Sequence, residues 1–409
     1  MKAIILLFSG LICVLSSLAQ RSAKTFAITS NSRGTYTWTE IREIDISSGR
    51  LLRNIYESKD QAYQVFNARS KAKINVNGES GVAVDQFQLP FGGLSAAMAY
   101  DRKNERLYFC PIFKNELRYI DLKESTPKFY YYSNEPITNV EQPAAEQNHI
   151  TRMVINTNGK GYALTNDAMH LIEFNTTKQQ AIRDLGALED DEKNAGITIH
   201  DKTAGWGGDM VADEEGLLYL FSANRHVFKI DPLQLKASFV GIISGIPDGY
   251  STNGAAVDDE GKVILASAVN TQTYYRVNME TLEATPVLQQ DGVMVYNCSD
   301  LANENFLKVK RAPLPAVMQA REERNALIQV FPNPVTGNRL KLLFNEPLKG
   351  RFEVQMLDGK GHHTFQSMVN ITGTSQVIEL SIPPVSKGAY IIKVNSNGIK
   401  KGSGVVIVQ

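Results

Sequence analysis

Three side chains that carry oxygen ligands, Asp209, Asn253 and Asp300, open or lie within three separate β-rich runs of the sequence. Carboxylate and amide oxygens are suited to Ca²⁺ or a similar hard cation. A metal held this way can polarise a carbonyl group while a carboxylate acts as acid or base. Without a cation, two carboxylates brought together repel, and one must take up a proton. The sequence therefore predicts a Ca²⁺ site at these residues. In the competing interpretation each side chain accepts backbone N–H groups of its own turn.

A second set of residues has the chemistry of ligand recognition. Asn148 and His149 precede a β-rich run, and Trp206 lies among glycines in residues 205–208. An indole ring on a loop can stack against a sugar or an aromatic side chain. The sequence thus predicts that Trp206, Asn148 and His149 contact a glycan, peptide or protein ligand. The alternatives are that Asn148 caps a loop, that His149 is a surface histidine and that Trp206 packs between blades.

No complete catalytic constellation accompanies these residues. The sequence contains no GxSxG elbow, Walker loop, dinucleotide fingerprint or HExxH motif. Two function classes remain: a non-enzymatic binding protein, and a metal-assisted hydrolase or lyase that uses Asp209, Asn253 and Asp300. We favour the binding protein, and tightly bound Ca²⁺ in the purified protein would favour the enzyme.

The candidate residues belong to a divergent repeat of short β-rich runs. In each unit a small or apolar first run is followed by a turn, an apolar run and an alternating run with aromatic residues. The first runs end at polar residues spaced by about one blade of a propeller, namely Asp101, Asn156, Asp213, Asp258 and Asn303. Stacked four-stranded sheets fit this order best, so residues 20–310 are predicted to form an all-β propeller of five or six blades. Residues 59–91 are either a degenerate sixth blade or a long loop, and the rival architecture is a pair of β-sandwiches.

The sequence also suggests how the ring closes. Residues 26–30, 43–46 and 51–56 match a second, third and fourth strand, but no first strand precedes them. A matching first strand occurs at residues 297–302. Pairing of 297–302 with 26–30 would close the ring and remove open sheet edges.

Charge and composition exclude one class of partner. The chain has 409 residues, with 43 Lys and Arg and 43 Asp and Glu. Nucleic-acid binding depends largely on clustered basic residues that neutralise phosphates. A formal net charge of zero therefore argues against nucleic acid.

The N-terminus has the pattern of a secretory signal peptide. Lys2 precedes the apolar run 4–15, and the small residues of 17–19 predict cleavage after Ala19. No later run reaches the length of a membrane span, so no span is expected in the mature chain. Export permits a disulfide. However, Cys110 and Cys298 lie in apolar runs, where free cysteine behaves as a small hydrophobe, and a Cys110–Cys298 bond is the less favoured alternative.

A second domain follows a linker. Residues 311–327 contain two prolines and a charged cluster, which is typical of a linker. Residues 328–409 are short alternating strands, which predict a small β-sandwich. A Phe-Pro-Asn-Pro motif begins this segment, with the residues Pro332, Asn333, Pro334 and the following Gly337. A turn follows later at Asp358, Gly359 and Lys360. The segment ends with a Gly-Ala-Tyr-Ile strand at 388–391 and an apolar run at 405–408.

Residues 328–409 resemble the C-terminal sorting domain of proteins exported by the type IX secretion system of Gram-negative bacteria. The resemblance implies export through the periplasm to the outer cell surface or the medium, the secretion machinery as a partner, and a tail that is then removed or used for attachment. More loosely, residues 20–310 look like the propeller-like extracellular domains of unknown function that precede such tails.

Overall fold

The computed structural model describes residues 22–59, 62–76, 85–176, 181–287, 294–309, 328–335, 337–358, 362–396 and 399–409. The chain divides into two compact units, Met1–Lys310 and Arg311–Gln409. The predicted signal peptide, the predicted linker, Gly359 and Lys360 lie outside the described residues.

Five sheets account for the strands of the N-terminal unit in these ranges. The first sheet contains β1 (Thr25–Thr29), β2 (Glu40–Asp45) and β3 (Arg50–Tyr56). The second contains β4 (Gln64–Asn67), β5 (Lys73–Ile74), β6 (Ser95–Asp101), β7 (Arg106–Pro111), β8 (Glu116–Asp121) and β9 (Lys128–Pro136). The third contains β10 (Ile150–Ile155), β11 (Lys160–Thr165), β12 (Leu171–Asn175) and β13 (Ile182–Asp184).

The fourth and fifth sheets repeat the same antiparallel order. The fourth contains β14 (Glu189–Asp190), β15 (Asp209–Ala212), β16 (Leu218–Phe221), β17 (His226–Asp231) and β18 (Lys236–Ile242). The fifth contains β19 (Thr252–Val257), β20 (Val263–Ser267), β21 (Tyr275–Asn278) and β22 (Glu283–Pro286), and β23 (Cys298–Ala302) returns to the first sheet. Short 3-10 helices occur at Gln86–Gln88, Glu146–Asn148 and Glu192–Asn194.

The inner strands form a closed ring, which makes this unit a β-propeller. β23 lies beside β6, and β10, β15 and β19 follow in turn, with β19 beside β23 again. Their small and apolar side chains suit this crowded position, since every residue of β15 and β23 is buried. The ring closes as the sequence predicts, because β23 pairs with β1 and sets Ala27 opposite Leu301. Cys110 and Cys298 are buried and free.

Polar side chains at the ends of the inner strands shape the first hairpin of each sheet. Asn156, Asp213 and Asp258 each accept two backbone N–H groups of the following turn through one side-chain oxygen. This is the local bonding for which Asp and Asn are favoured in turns. Each turn also contains a glycine in the left-handed region, at Gly159, Gly216 and Gly261.

The segment between the first and second sheets extends an existing sheet. β4 pairs in parallel with β9, and β5 pairs with β4, so both lie at the outer edge of the second sheet. Buried Arg118 anchors the loop that follows, because its guanidinium donates to the carbonyl oxygens of Phe87, Leu89 and Pro90.

The C-terminal unit is a small β-sandwich. Its strands are β24 (Gln329–Phe331), β25 (Arg339–Leu357), β26 (His363–Ser381), β27 (Gly388–Ser396) and β28 (Ile399–Val408). The first part of β25 pairs with β24 and its last part pairs with β27, with breaks in register between them. Buried side chains from both parts, among them Leu342, Val354 and Met356, share one core.

Candidate functional site

Two of the three predicted metal ligands meet at the hub of the propeller. The Asp209 and Asp300 side chains are 1% and 0% exposed and interact with each other. The Asp209 carboxylate accepts the backbone N–H groups of Met210 and Ala255, at 2.7 Å each, and of Leu301 at 3.3 Å. Two of these donors belong to other strands, so Asp209 links β15 to β19 and β23 rather than only closing its own turn.

The two carboxyl groups of this acid pair differ in what surrounds them. Desolvation raises the pKa of both carboxyl groups well above 3.8, while the three backbone N–H groups oppose this rise at Asp209. The charge of Asp209 further raises the pKa of Asp300. The three backbone N–H groups favour the charged form of Asp209, whereas neither Asp300 oxygen has a hydrogen-bond partner among the described residues. We therefore infer that Asp300 carries the proton when Asp209 is ionised.

Buried Arg152 on β10 supplies a positive charge to the same hub. Burial lowers the pKa of Arg152 to about 9, and the negative charges of Asp167 and Asp209 act in the opposite direction. Its guanidinium donates to the carbonyl oxygens of Gly205 and Thr165. An ionised Asp209 therefore lies in the field of a buried cation.

Asn253, the third predicted ligand, makes a different contact. Its side-chain oxygen accepts the backbone N–H of Ala268 at 3.0 Å, which ties together the ends of one hairpin. In the part of the chain that the structure describes, no group of three or more His, Cys, Asp or Glu side chains is placed to hold a metal ion. A small space of about 20 Å³ lies among the inner strands and is lined mainly by apolar residues, and neither Asp209 nor Asp300 lines it.

The predicted ligand-binding residues lie on the entry face, which we define as the end of the propeller where the inner strands begin. Asn148 donates to the carbonyl oxygen of Gln142 at 2.9 Å, and His149 lies 2.9 Å from that of Ala144. Both side chains thus bond within their own loop. Trp206 is half-buried and donates from its indole nitrogen to the carbonyl oxygen of His200. The Lys202 ammonium group lies 5.3 Å from the indole ring.

A larger cavity opens on the opposite end, the exit face, where the inner strands end. Its volume is about 1030 Å³, the upper end of the range for ligand sites. One wall comes from the second sheet, through residues 68–71 and the β6–β7 hairpin. The facing wall comes from the β10–β11 hairpin at 155–159 and from Thr176, and Phe306 lines the cavity between them.

The sequence did not predict this cavity. The residues that mark it in the sequence are a basic cluster on one hairpin, Arg102, Lys103 and Arg106, and two basic residues on a distant segment, Arg69 and Lys71. Only the parallel pairing of β4 with β9 brings that segment beside the hairpin. The prediction instead followed glycines and histidines to the entry face.

The predicted sorting motif connects the two ends of the C-terminal unit. Asn333 accepts the backbone N–H of Ile407 at 2.9 Å, and the Val335 N–H donates to the carbonyl oxygen of Ile407 at 2.7 Å. Pro332, Pro334 and Gly337 are exposed. Asp358 begins the predicted turn and accepts the backbone N–H of His362 at 2.9 Å.

Residues 329–409 match the family model of the secretion system C-terminal sorting domain. The tail is a type IX secretion sorting domain. The chain that carries this sorting domain is exported to the cell surface or secreted, and the sorting domain implies an interaction with the secretion machinery. Within the described ranges, no helix has the length and apolar character needed to cross a membrane.

Solved structures with a similar fold are distant in sequence. PorZ of Porphyromonas gingivalis, a surface component of the type IX secretion system, is 14% identical with a TM-score of 0.31, and the match covers 94% of this chain and 51% of PorZ. Virginiamycin B lyase from Staphylococcus aureus is 11% identical with a TM-score of 0.29, covering 77% and 84% of the two chains. A protein from Lactobacillus plantarum is 11% identical with a TM-score of 0.34, covering 88% and 100%. The chain thus spans about half the length of PorZ. No curated protein matches the chain.

Proposed function

We propose that the chain is a non-enzymatic binding protein that acts outside the outer membrane and holds a glycan, peptide or protein ligand in the cavity of the exit face. The observation that carries this proposal is the cavity of about 1030 Å³ between two hairpin tips. Its walls are loops on a rigid ring of sheets, which is the usual arrangement of binding residues on a scaffold. The sorting domain delivers this unit to the outside, where such a ligand is available.

The hub supports binding rather than chemistry. Asp209 and Asp300 are almost fully buried. Asp209 accepts three backbone N–H groups. A general acid or base must lie within hydrogen-bonding reach of the substrate, and neither carboxyl group lines the cavity of the exit face.

The alternative function is a metal-assisted hydrolase or lyase that uses Asp209, Asn253 and Asp300. It requires a cation to displace the proton of Asp300, and it requires the Asn253 side chain to leave the backbone N–H of Ala268 and turn towards the axis. Thermal melts distinguish the alternatives, because a resident cation would raise the melting temperature and EDTA would lower it. A binding protein without axial metal gives the same melting temperature in Ca²⁺ and in EDTA.

Blocking the cavity is expected to abolish ligand binding without unfolding the chain. Thr157 is exposed at the tip of the β10–β11 hairpin and lines the cavity. A Thr157→Trp variant should place a large ring across the opening. The mature chain, residues 20–409, is screened against a glycan and peptide array, and the ligands it retains are titrated into the variant by calorimetry.

Glu214→Trp is the matched control, because Glu214 occupies the corresponding position in the β15–β16 hairpin and is exposed. This variant should bind as the wild type does. The proposal fails if no glycan or peptide binds, or if ligands bind equally well to the Thr157→Trp variant.

A further inference from the structure

The cavity of the exit face has one basic wall. Five basic side chains and two acidic ones, Asp101 and Glu304, line the cavity, although the whole chain has no net charge. The basic side chains all come from the second sheet or its edge segment; they are Arg69, Lys71, Arg102, Lys103 and Arg106. Positive charge is thus concentrated on one side of the cavity.

The three arginines are partly neutralised by carboxylates. Arg69 pairs with Glu135 at 2.6 Å, and Arg102 lies 3.5 Å from Glu304. Arg106 is 3.9 Å from Asp121. These pairs hold the guanidinium groups in place but reduce the positive charge they offer to a ligand.

The two lysines, in contrast, have no ion pair within the described parts of the chain. The Lys71 ammonium group donates to the carbonyl oxygen of Ala68 at 2.7 Å and to the Tyr119 hydroxyl at 2.9 Å. An ammonium group has three donors, so one is left for a ligand. Burial lowers the pKa of Lys71, and the charges of Arg106 and Arg69 lower it further, while the charge of Asp121 acts in the opposite direction.

The backbone at Lys71 has a φ of +62°, in the left-handed region, as do eight other non-glycine residues of the described chain. Glycine and asparagine are less strained than lysine in this region. Asparagine is therefore a substitution at position 71 that the backbone should tolerate.

The wall opposite the lysines is neutral and polar. Its residues with amide or hydroxyl groups are Asn156, Thr157, Asn158 and Thr176. Asn156 and Thr176 are buried and bond to backbone groups of the hairpin turn. Asn158 and Thr157 are exposed at the hairpin tip. Side chains of this kind donate to and accept from hydroxyl groups, so this wall suits a ligand rich in hydroxyls while the facing wall suits negative charge.

We propose that the cavity of the exit face binds an oligosaccharide that bears carboxylate groups, with Lys71 and Lys103 contacting the carboxylates and the β10–β11 hairpin contacting the sugar hydroxyls. This assignment rests on the proposed function and names the ligand class for the same cavity. An acidic peptide shares the negative charge but lacks the hydroxyls that the neutral wall would bond.

The test is calorimetric titration of the mature chain with trigalacturonate, with neutral maltotriose and with tri-glutamate. Trigalacturonate should bind at least about tenfold more tightly than either comparison ligand, and its binding should weaken as NaCl is raised. Lys71→Asn and Lys103→Gln should each weaken trigalacturonate binding about tenfold. Lys71→Asn should leave the melting temperature unchanged or higher, because asparagine tolerates this backbone conformation.

Lys193→Gln is the control, because Lys193 is exposed and does not line the cavity; it should bind trigalacturonate like the wild type. The assignment is overturned if trigalacturonate does not bind, if maltotriose or tri-glutamate binds as tightly, or if the lysine variants bind normally. A neutral ligand that Thr157→Trp blocks would leave the proposed function standing while this ligand class fails.

Discussion

A chain that ends at Val293 is expected to lose the cooperative unfolding transition of the propeller, whereas a chain that ends at Val309 keeps it. The shorter chain lacks β23, whose five residues are all buried and pair with β1. Without it, β1 has an open edge, and β6 and β19 lose their common neighbour. The shorter chain also lacks the buried side chains of Val295, Leu301 and Leu307. Each contributes about 1.5–3 kcal/mol, so the loss is comparable with the whole stability of an ordinary domain, about 5–15 kcal/mol.

Thermal and urea unfolding of the two truncated chains, followed by circular dichroism, measures this loss. The shorter chain should aggregate or melt without a sharp transition. Equal midpoints and equal cooperativity in the two chains would show that β23 does not close the ring.

The acid pair at the hub is expected to respond differently to two chemically identical substitutions. Asp300→Asn replaces the protonated member by an uncharged amide of nearly the same shape, so stability at neutral pH should be kept or raised. Asp209→Asn turns an amide nitrogen towards backbone N–H donors, which should cost about 1–3 kcal/mol or more. Urea unfolding of the wild type and both variants checks the order of stability.

The acid pair should also make the free energy of unfolding depend on pH. The pKa of the pair is raised above the ordinary 3.8 in the folded chain, so the folded chain holds the proton more tightly than the unfolded chain. The free energy of unfolding contributed by the pair is therefore largest below about pH 4 and decreases as the pH rises through the raised pKa. Asp300→Asn should remove this decrease, about 1.4 kcal/mol for each unit of pKa shift. Equal pH profiles for the wild type and Asp300→Asn would contradict the protonation states that we assign.

Much of the propeller could be predicted because its signals are local. The polar residues at the ends of the inner strands, such as Asp213 and Asp258, bond to the turns that follow them, so their spacing follows the succession of sheets. Residues 26–30 match a second strand with no first strand before it, which leaves an unpaired sheet edge. Because such an edge must be covered, the matching strand at 297–302 could be assigned to it. The repulsion of Asp209 and Asp300 was also foreseeable, because two carboxylates at a common axis cannot both stay charged without a partner.

There is a physical reason why the cavity and the edge of the second sheet could not be predicted. β4 and β5 are short, and their position depends on parallel pairing with β9, which leaves no hairpin signal in the sequence. Lys71 reaches the β6–β7 hairpin only through this pairing. Similarly, the backbone donors that bond to Asp209 come from Ala255 and Leu301, and nothing in the type of those residues marks them.

The tail carries the propeller out of the cell, and deletion of residues 328–409 is the direct test of this role. The wild type, the deletion and the Thr157→Trp variant are expressed in a bacterium with a type IX secretion system, and the periplasm, outer surface and medium are compared by immunoblotting. The wild type and Thr157→Trp should appear on the surface or in the medium, while the deletion should accumulate as folded protein in the periplasm. Appearance of the deletion variant outside the outer membrane at the wild-type level would show that the tail is not what exports the propeller.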